Sequence, residues 1–268
     1  MIEQRRSAAE PPQAIPTSVL WKAFDVLDTF SRQHRVLTLS ELARTSGLPK
    51  STVHRVLAML RELGAVEQVD GGFRMGLRML TMAASSPEAG LREVAVPHLL
   101  ELHRTVGHTV HLCALRGEDV VYLEKLHESD AQVIPTSVGM RLPAHCTGVG
   151  KALLAHRAAD TDATAHTPSL RRLTPRSITE PRALALALAQ VRQRGMAVDR
   201  DEAVHGLSCI ARPVLIGGHA VAAVSIGFPS SAGRGEAWLG RLGRTVGSLS
   251  AALRERPDLM EYLFQSRA

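Results

Sequence analysis

The sequence predicts an α+β chain in two parts: three helices and a β-hairpin, then a larger α/β domain built on an antiparallel sheet. Three observations predict it. Residues 38–63, TLSELARTSGLPKSTVHRVLAMLREL, hold two helical repeats about a glycine turn. Residues 65–76, AVEQVDGGFRMG, place short apolar runs on either side of Asp70-Gly71-Gly72, a hairpin pattern. Beyond residue 108, strand-like runs alternate with helical ones, and CIARPVLI (209–216) and AVAAVSIGF (220–228) flank the hairpin signal Gly217-Gly218-His219.

Residues 1–16 are polar, with three prolines, and read as a disordered tail. Val19, Leu20, Ala23, Val26, Leu27 and Phe30 repeat at helical spacing and predict a helix over 17–33. Thr38 and Glu41 form a T-x-x-E capping box, so the next helix starts with Thr38 as N-cap. Gly47 supplies the turn, because a residue without Cβ takes a positive φ at no steric cost. Pro49 sits near the first position of the following helix, where its missing N–H loses nothing. There Val53, Val56, Leu57, Leu60 and Leu63 share one face, expected to be buried. Residues 17–76 thus read as a winged helix-turn-helix domain, and LRMLTMA (77–83) opens a linker helix ending at a Ser85-Ser86-Pro87 boundary near residue 88.

The domain expected over 89–268 begins with a helix at 89–106. TVHLCALR (109–116), VVYLEKL (120–126) and QVIPTSV (132–138) look like successive strands, and GVGKALLA (148–155) opens a helix. Residues 157–180 are polar and expected mostly on the surface. Thr179 is the expected N-cap of a helix that Gly195 ends, with Leu184, Leu188 and Val191 as its buried stripe. A last long helix spans 234–255, with a short helical tail at 257–264.

Composition excludes several classes. Aromatics make up 3% of the chain, too few for a stacking platform for single strands or RNA. Cys113, Cys146 and Cys209 are far apart with no C-x-x-C, which fits reduced thiols in a cytoplasmic protein. MIEQRRSAAEPPQ has no apolar run behind its arginines, so no signal peptide is expected. No stretch reaches the roughly 18–20 apolar residues that span a bilayer.

The net charge of +6 is modest, but its placement is informative. Over 31–64, Arg32, Arg35, Arg44, Lys50, Arg55 and Arg61 face only Glu41 and Glu62. Charge alone fits a solvated helix face as well as a partner; the helix-turn-helix pattern favours double-stranded DNA. The candidate contacts are Lys50, Ser51, Thr52, His54, Arg55 and Arg61 on the second helix and Arg74 beyond the hairpin tip. Ser51 and Thr52 bond phosphates or bases, Lys50 meets phosphate as a point charge, and Arg55 has the reach to fork onto guanine. A surface ion pair is the alternative for Arg55, and His54 contacts bases, phosphates or neither. Asp70 at the tip argues against base reading there.

Three further stretches carry a resemblance. SELARTSGLPKSTVHRVLAML, then VGMRLPAHCTGVGKALLA (138–155), then GMAVDRDEAVHGLSCIARPV (195–214) followed by AVSIG (223–227) together resemble the IclR family of bacterial transcriptional regulators, from about residue 17 to 264. The resemblance implies a GAF-like small-molecule sensor domain behind the winged helix, assembled as a dimer or a dimer of dimers on a palindromic operator. It implies no cofactor, no metal and no enzymatic activity.

Gly148 and Gly150 lie where a loop becomes a helix, which serves either as an anion site or simply as close packing; spacing alone favours packing. The resemblance implies instead that this loop lines an effector site for a small organic acid. Carried over position by position, it places Leu142, Gly148, Val149, Asp199, Leu207, Cys209 and Ser225 around the cavity. Asp201 or Glu202 are alternatives to Asp199, and Cys209 is equally readable as strand core. The chain departs from the family at Gly227, where a polar residue is frequent, and at Val149, where alanine is. His111, His145 and Cys146 read as structural, and Arg141 as a counter-charge or a surface residue. Two other readings stand beside this one: a small-acid-processing enzyme using a Cys–His pair, and a metal or redox sensor built on His103, His108, His111 and a cysteine.

Overall fold

The structure is a computed structural model that describes residues 18–31, 34–127, 134–157, 170–233 and 235–265, with residues 263–265 described by backbone alone. The expected tail at 1–16 and Arg32 lie outside the described residues. The chain divides into two compact units between Ser86 and Pro87.

The N-terminal unit holds helices α1 (Val19–Leu27), α2 (Leu39–Ser46) and α3 (Lys50–Glu62), the hairpin β1 (Val66–Val69) and β2 (Gly72–Met75), and helix α4 (Leu77–Ala84). The capping box forms as the residue types require. Thr38 Oγ1 accepts the Glu41 N–H at 3.2 Å and the Glu41 carboxylate accepts the Thr38 N–H at 2.8 Å. Gly47 ends α2 with φ 71°. Removing the cap by Thr38→Ala is expected to cost about 1 kcal/mol, read as a lower urea midpoint at unchanged slope.

Val26, Leu37, Leu42, Val53, Val56, Leu57, Leu60 and Val66 make the core of this unit. Two expectations fail at its edges. Leu63 is the C-cap of α3 rather than the end of its stripe and is 54% exposed. In α1 only Val26 is buried, while Val19, Leu20, Trp21 and Phe24 face outward, Leu20 at 69%. A single three-turn helix packed on α3 has room for one buried ridge, and this helix carries more apolar residues than that ridge takes.

The hairpin has a third member that strand patterning did not show. Leu37, just before the N-cap, exchanges two backbone hydrogen bonds with Phe73, at 2.9 and 2.8 Å. Gly72 permits it: a Cβ there would lie 2.3 Å from the Leu37 carbonyl oxygen.

The C-terminal unit contains α5 (Pro87–Val106), β3 (Thr109–Arg116), β4 (Asp119–Leu126), β5 (Arg141–Pro143), α6 (Gly148–Leu154), α7 (Pro181–Arg194), β6 (Ala197–Arg200), β7 (Leu207–Ile216), β8 (His219–Pro229), α8 (Leu239–Arg254) and α9 (Pro257–Gln265). The strands form one sheet in the order β5-β4-β3-β8-β7-β6, every neighbouring pair antiparallel. Because side chains alternate along a strand, each face buries its own set. Val110, Leu112, Ile210, Val224, Ile226 and Phe228 pack under α5 and α8. Cys113, Tyr122, Ala211 and Ala223 pack under α6 and α7.

Three segments differ from the sequence reading. The described part of the expected strand at 132–138 is not strand: residues 134–138 run as a loop, and the third strand is Arg141–Pro143. That loop is held by side chains, since the Lys125 ammonium donates to the carbonyls of Ile134 (2.6 Å) and Thr136 (2.8 Å). Thr179 does not cap α7. Glu180 holds the N-cap position without a side-chain bond, Pro181 begins the helix, and the Thr179 hydroxyl accepts from Arg172. Thr174 and Ser177, in the stretch expected on the surface, are buried because their hydroxyls donate to the carbonyls of Asp201 and Glu202.

Candidate functional site

Taken alone, the N-terminal unit presents α3 as a two-sided helix. Val53, Val56, Leu57 and Leu60 anchor it, while Lys50, Ser51, His54, Arg55 and Arg61 are exposed and Thr52 is half-buried. Lys50, Ser51, His54 and Arg55 cluster on its first two turns, the end that reaches base edges when such a helix enters a major groove. Arg74 is committed differently. Its guanidinium pairs with Glu67 across the hairpin at 2.8 Å, and the same carboxylate accepts the Leu77 N–H. These bonds hold the Glu67 carboxyl below the usual range, Arg74 being the larger cause.

In the C-terminal unit, register builds the second site. Asp199, Cys209, Gly227 and Thr109 lie side by side across β6, β7, β8 and β3, and the next row on the same face is Ala197, Ala211, Ser225, His111 and Lys125. Gly148 presses onto this floor: a Cβ there would meet Cys209 Sγ at 2.6 Å and the Asp199 backbone nitrogen at 3.4 Å. The structure therefore brings Gly148, Asp199 and Cys209 into contact, with Ser225 one row away. Leu207 is two residues before Cys209 on β7 and shares its side. Val149 is sealed into the apolar cluster beneath α6, and Leu142 packs against that cluster from the opposite edge strand.

The expected helix-start anion site is occupied by the protein itself. The Gly150 N–H donates to Thr147 Oγ1 at 2.9 Å and the Lys151 N–H to the Thr147 carbonyl, while the Gly148 backbone rests against Cys209.

Charge is concentrated next to this floor. The Lys151 ammonium bonds both oxygens of Glu202, at 2.5 and 2.6 Å, in a buried pair. Asp199, also buried, accepts the Glu202 N–H at 2.7 Å and lies within the field of the pair. Burial is the main reason that its pKa rises to about 7; the Glu202 charge adds to the rise, while the Glu202 N–H and Lys151 oppose it. Burial pushes the Cys209 thiol up to about 12 and Cys146 to about 11, and raises Cys113 and Tyr122 well above their usual values. His111 is driven down to about 3, first by burial and then by Lys125, so its ring is neutral; its Nε2 shares a hydrogen bond with Thr136 Oγ1 at 2.9 Å.

Sequence reasoning did not single out Lys151, although a lysine three residues after Gly148 in an otherwise apolar helix was the available signal. His145 and Cys146 both reach the Arg171 carbonyl. Arg141 is exposed and pairs with Asp119 at 3.3 Å. The imagined metal set comes apart: His103 bonds the His108 carbonyl, the His108 ring meets Trp238 edge-on, and His111 points to the face of the sheet opposite α5.

Both units have counterparts among known proteins. Residues 19–70 match the IclR helix-turn-helix domain, and residues 83–251 match the family described as bacterial transcriptional regulator IclR C-terminal. The chain is 34% identical over 197 residues to the HTH-type transcriptional regulator XynR of Escherichia coli, covering 72% of this chain and 78% of that one. It is 35% identical over 222 residues to the HTH-type transcriptional regulator BhcR of Paracoccus denitrificans, covering 78% and 76%. Among solved structures, an IclR homologue from Microbacterium hydrocarbonoxydans complexed with 4-hydroxybenzoate is similar with a TM-score of 0.78 at 30% identity, covering 89% of this chain and all of that one. The Thermotoga maritima IclR gives 0.72 at 28%, covering 87% and 98%. With a helix-turn-helix unit and an antiparallel α/β unit each matched in order, the chain belongs to the IclR family of bacterial transcriptional regulators.

Proposed function

We propose that this regulator binds a palindromic operator as a dimer or dimer of dimers, and that a small organic acid held in the C-terminal unit sets its occupancy. The observation that carries the reading is the contact of Gly148 with Cys209 and Asp199 on a buried polar floor, in a chain whose N-terminal unit exposes a basic helix. An entering carboxylate takes the Gly148 N–H, and Asp199, Cys209 and Ser225 orient its remainder, with Leu142, Val149 and Leu207 as apolar wall. The similar structure that holds 4-hydroxybenzoate supports an acid of this kind. The outward apolar residues of α1, with Leu77, Leu80 and Met82 of α4, support self-association, since a soluble unit seldom leaves so much apolar surface uncovered.

On the DNA side, Lys50, Ser51, Thr52, His54, Arg55 and Arg61 are the contacts, and Arg74, already paired with Glu67, contributes through the backbone. Arg55→Ala is expected to weaken specific binding by about 1–3 kcal/mol. A gel shift at fixed salt on an operator selected from random duplexes checks this; unchanged affinity removes Arg55 from the interface. An acid acts as a signal only if it binds two states unequally, here two spacings of the paired recognition helices relative to the half-sites.

The high thiol pKa values and the neutral His111 support a binding site over a Cys–His nucleophile, and so a regulator over an enzyme. No helix among the described residues is long and apolar enough to cross a membrane, and a DNA-binding regulator of this family acts in the bacterial cytoplasm. A thermal-shift screen of small carboxylic acids tests the effector reading, because a ligand that binds only the folded state raises the midpoint.

A further inference from the structure

We infer that the effector acid binds as an anion together with one proton, which is taken up from solvent by Asp199, so that this regulator reads acid concentration and pH as a single signal. The inference rests on the effector reading above and goes beyond it.

Among the described residues, the groups that bear on Asp199 are Glu202 and Lys151 beside it, Cys209 across the β6–β7 pair, Cys146 in the turn before α6, and Tyr122 on β4. Both thiols and the phenol are held neutral by burial. The single cation of the set, Lys151, donates to both Glu202 oxygens, at 2.5 and 2.6 Å. With every carboxyl ionised, the cluster therefore carries one net negative charge before any ligand arrives. It carries that charge in a place where burial already disfavours it.

A carboxylate that takes the Gly148 N–H arrives against the Asp199 backbone, because Gly148 itself rests there. A second anion brought to this buried, already negative cluster is repelled, and the cheapest relief is to protonate the carboxyl that is less well solvated. Asp199 meets that condition and Glu202 does not: Asp199 has backbone N–H donors, whereas Glu202 has a full ammonium. The free protein already holds this proton about half the time near neutrality, with a pKa of about 7. Ligand binding completes the uptake. The protonated Asp199 then offers its O–H to the ligand in place of a charge.

Linkage fixes the size of the effect. Below pH 7 the apparent Kd for the anion is flat. Above it, each pH unit weakens binding about tenfold, the slope of one proton taken up per ligand bound. The coupling makes the switch more responsive to its acid when the cytoplasm is acidified.

The test uses the full chain. First, the infrared carbonyl band of a protonated carboxyl group is followed in the ligand-free protein between pH 5.5 and 8.5, for wild type and Asp199→Asn. The expected result is a band that titrates near pH 7 and is missing from the variant; its absence from wild type overturns the inference whatever ligand is used. Second, 4-hydroxybenzoate, benzoate, acetate and lactate are screened by thermal shift, and the best binder is titrated by calorimetry at pH 8 in phosphate and in Tris. The expected result is a heat difference that corresponds to about one proton taken up, a tenfold loss of affinity per pH unit above 7, and a flat profile in Asp199→Asn. Binding with a flat profile in wild type overturns the proton coupling and leaves the effector reading intact. A resident proton with no acid bound by any of the four overturns coupling to these acids and counts against the effector reading itself.

Discussion

Lys151→Met is expected to destabilise the C-terminal unit by about 3–5 kcal/mol, because it strands a buried carboxylate whose partner supplied both of its strong hydrogen bonds. The methionine fills nearly the same volume, so packing loss is small and the deficit is electrostatic. It therefore depends on pH. With Asp199 neutral at low pH the repulsion on the stranded carboxylate is relieved, so the variant approaches wild type near pH 5 and falls furthest behind at pH 8. Urea unfolding across that range measures it. Lys151→Met combined with Glu202→Gln is expected to recover most of the loss, since the double variant leaves neither partner of the pair as an unpaired buried charge. An equal deficit at both pH values, or no recovery in the double variant, would assign Lys151 a packing role only.

The second large effect is expected from Gly150→Ala. A Cβ there would lie 2.1 Å from the Ala144 carbonyl oxygen and 2.4 Å from its Cα, and backbone cannot rotate aside as a side chain can. Helix α6 must move off the 144–146 turn, at a cost of about 3 kcal/mol, the upper part of the usual range for overpacking. The same movement lifts Gly148 from Cys209, so the acid-induced thermal shift should vanish even at temperatures where the variant is fully folded. A stable variant that still binds its acid would show that the 144–150 contact is slack.

Much of this was legible in the sequence because it depends on spacing between near neighbours. The capping box at Thr38, the Gly47 turn and the buried ridge of α3 are all settled within one or two helical turns. What escaped depended on distant chain. The bond between Leu37 and Phe73 joins residues separated by two helices, and Leu37 is part of no strand run. Residues 134–138 look like a strand by composition, yet Lys125 and His111 hold them as a loop from another element. Thr174 and Ser177 are polar and read as surface, but their hydroxyls close the loop after β6. At the proposed effector site, family resemblance supplied the positions, and the register of β6, β7 and β8 places Asp199, Cys209 and Ser225 on one face. The importance of Lys151 came from neither, since a buried lysine is recognisable only once its carboxylate is in view.

The pairing of Leu37 with Phe73 makes the DNA-reading unit a closed frame. Covalent chain runs from residue 37 through α2, α3 and the hairpin to residue 73, and two hydrogen bonds tie the ends. A push on the hairpin tip by a phosphate backbone is thus delivered to the residue just ahead of the α2 cap as well as to the root of the hairpin. Shear between wing and helices is resisted at two places instead of one. The recognition helix is carried inside this frame as a strut, so tilting it along a groove means turning the whole frame.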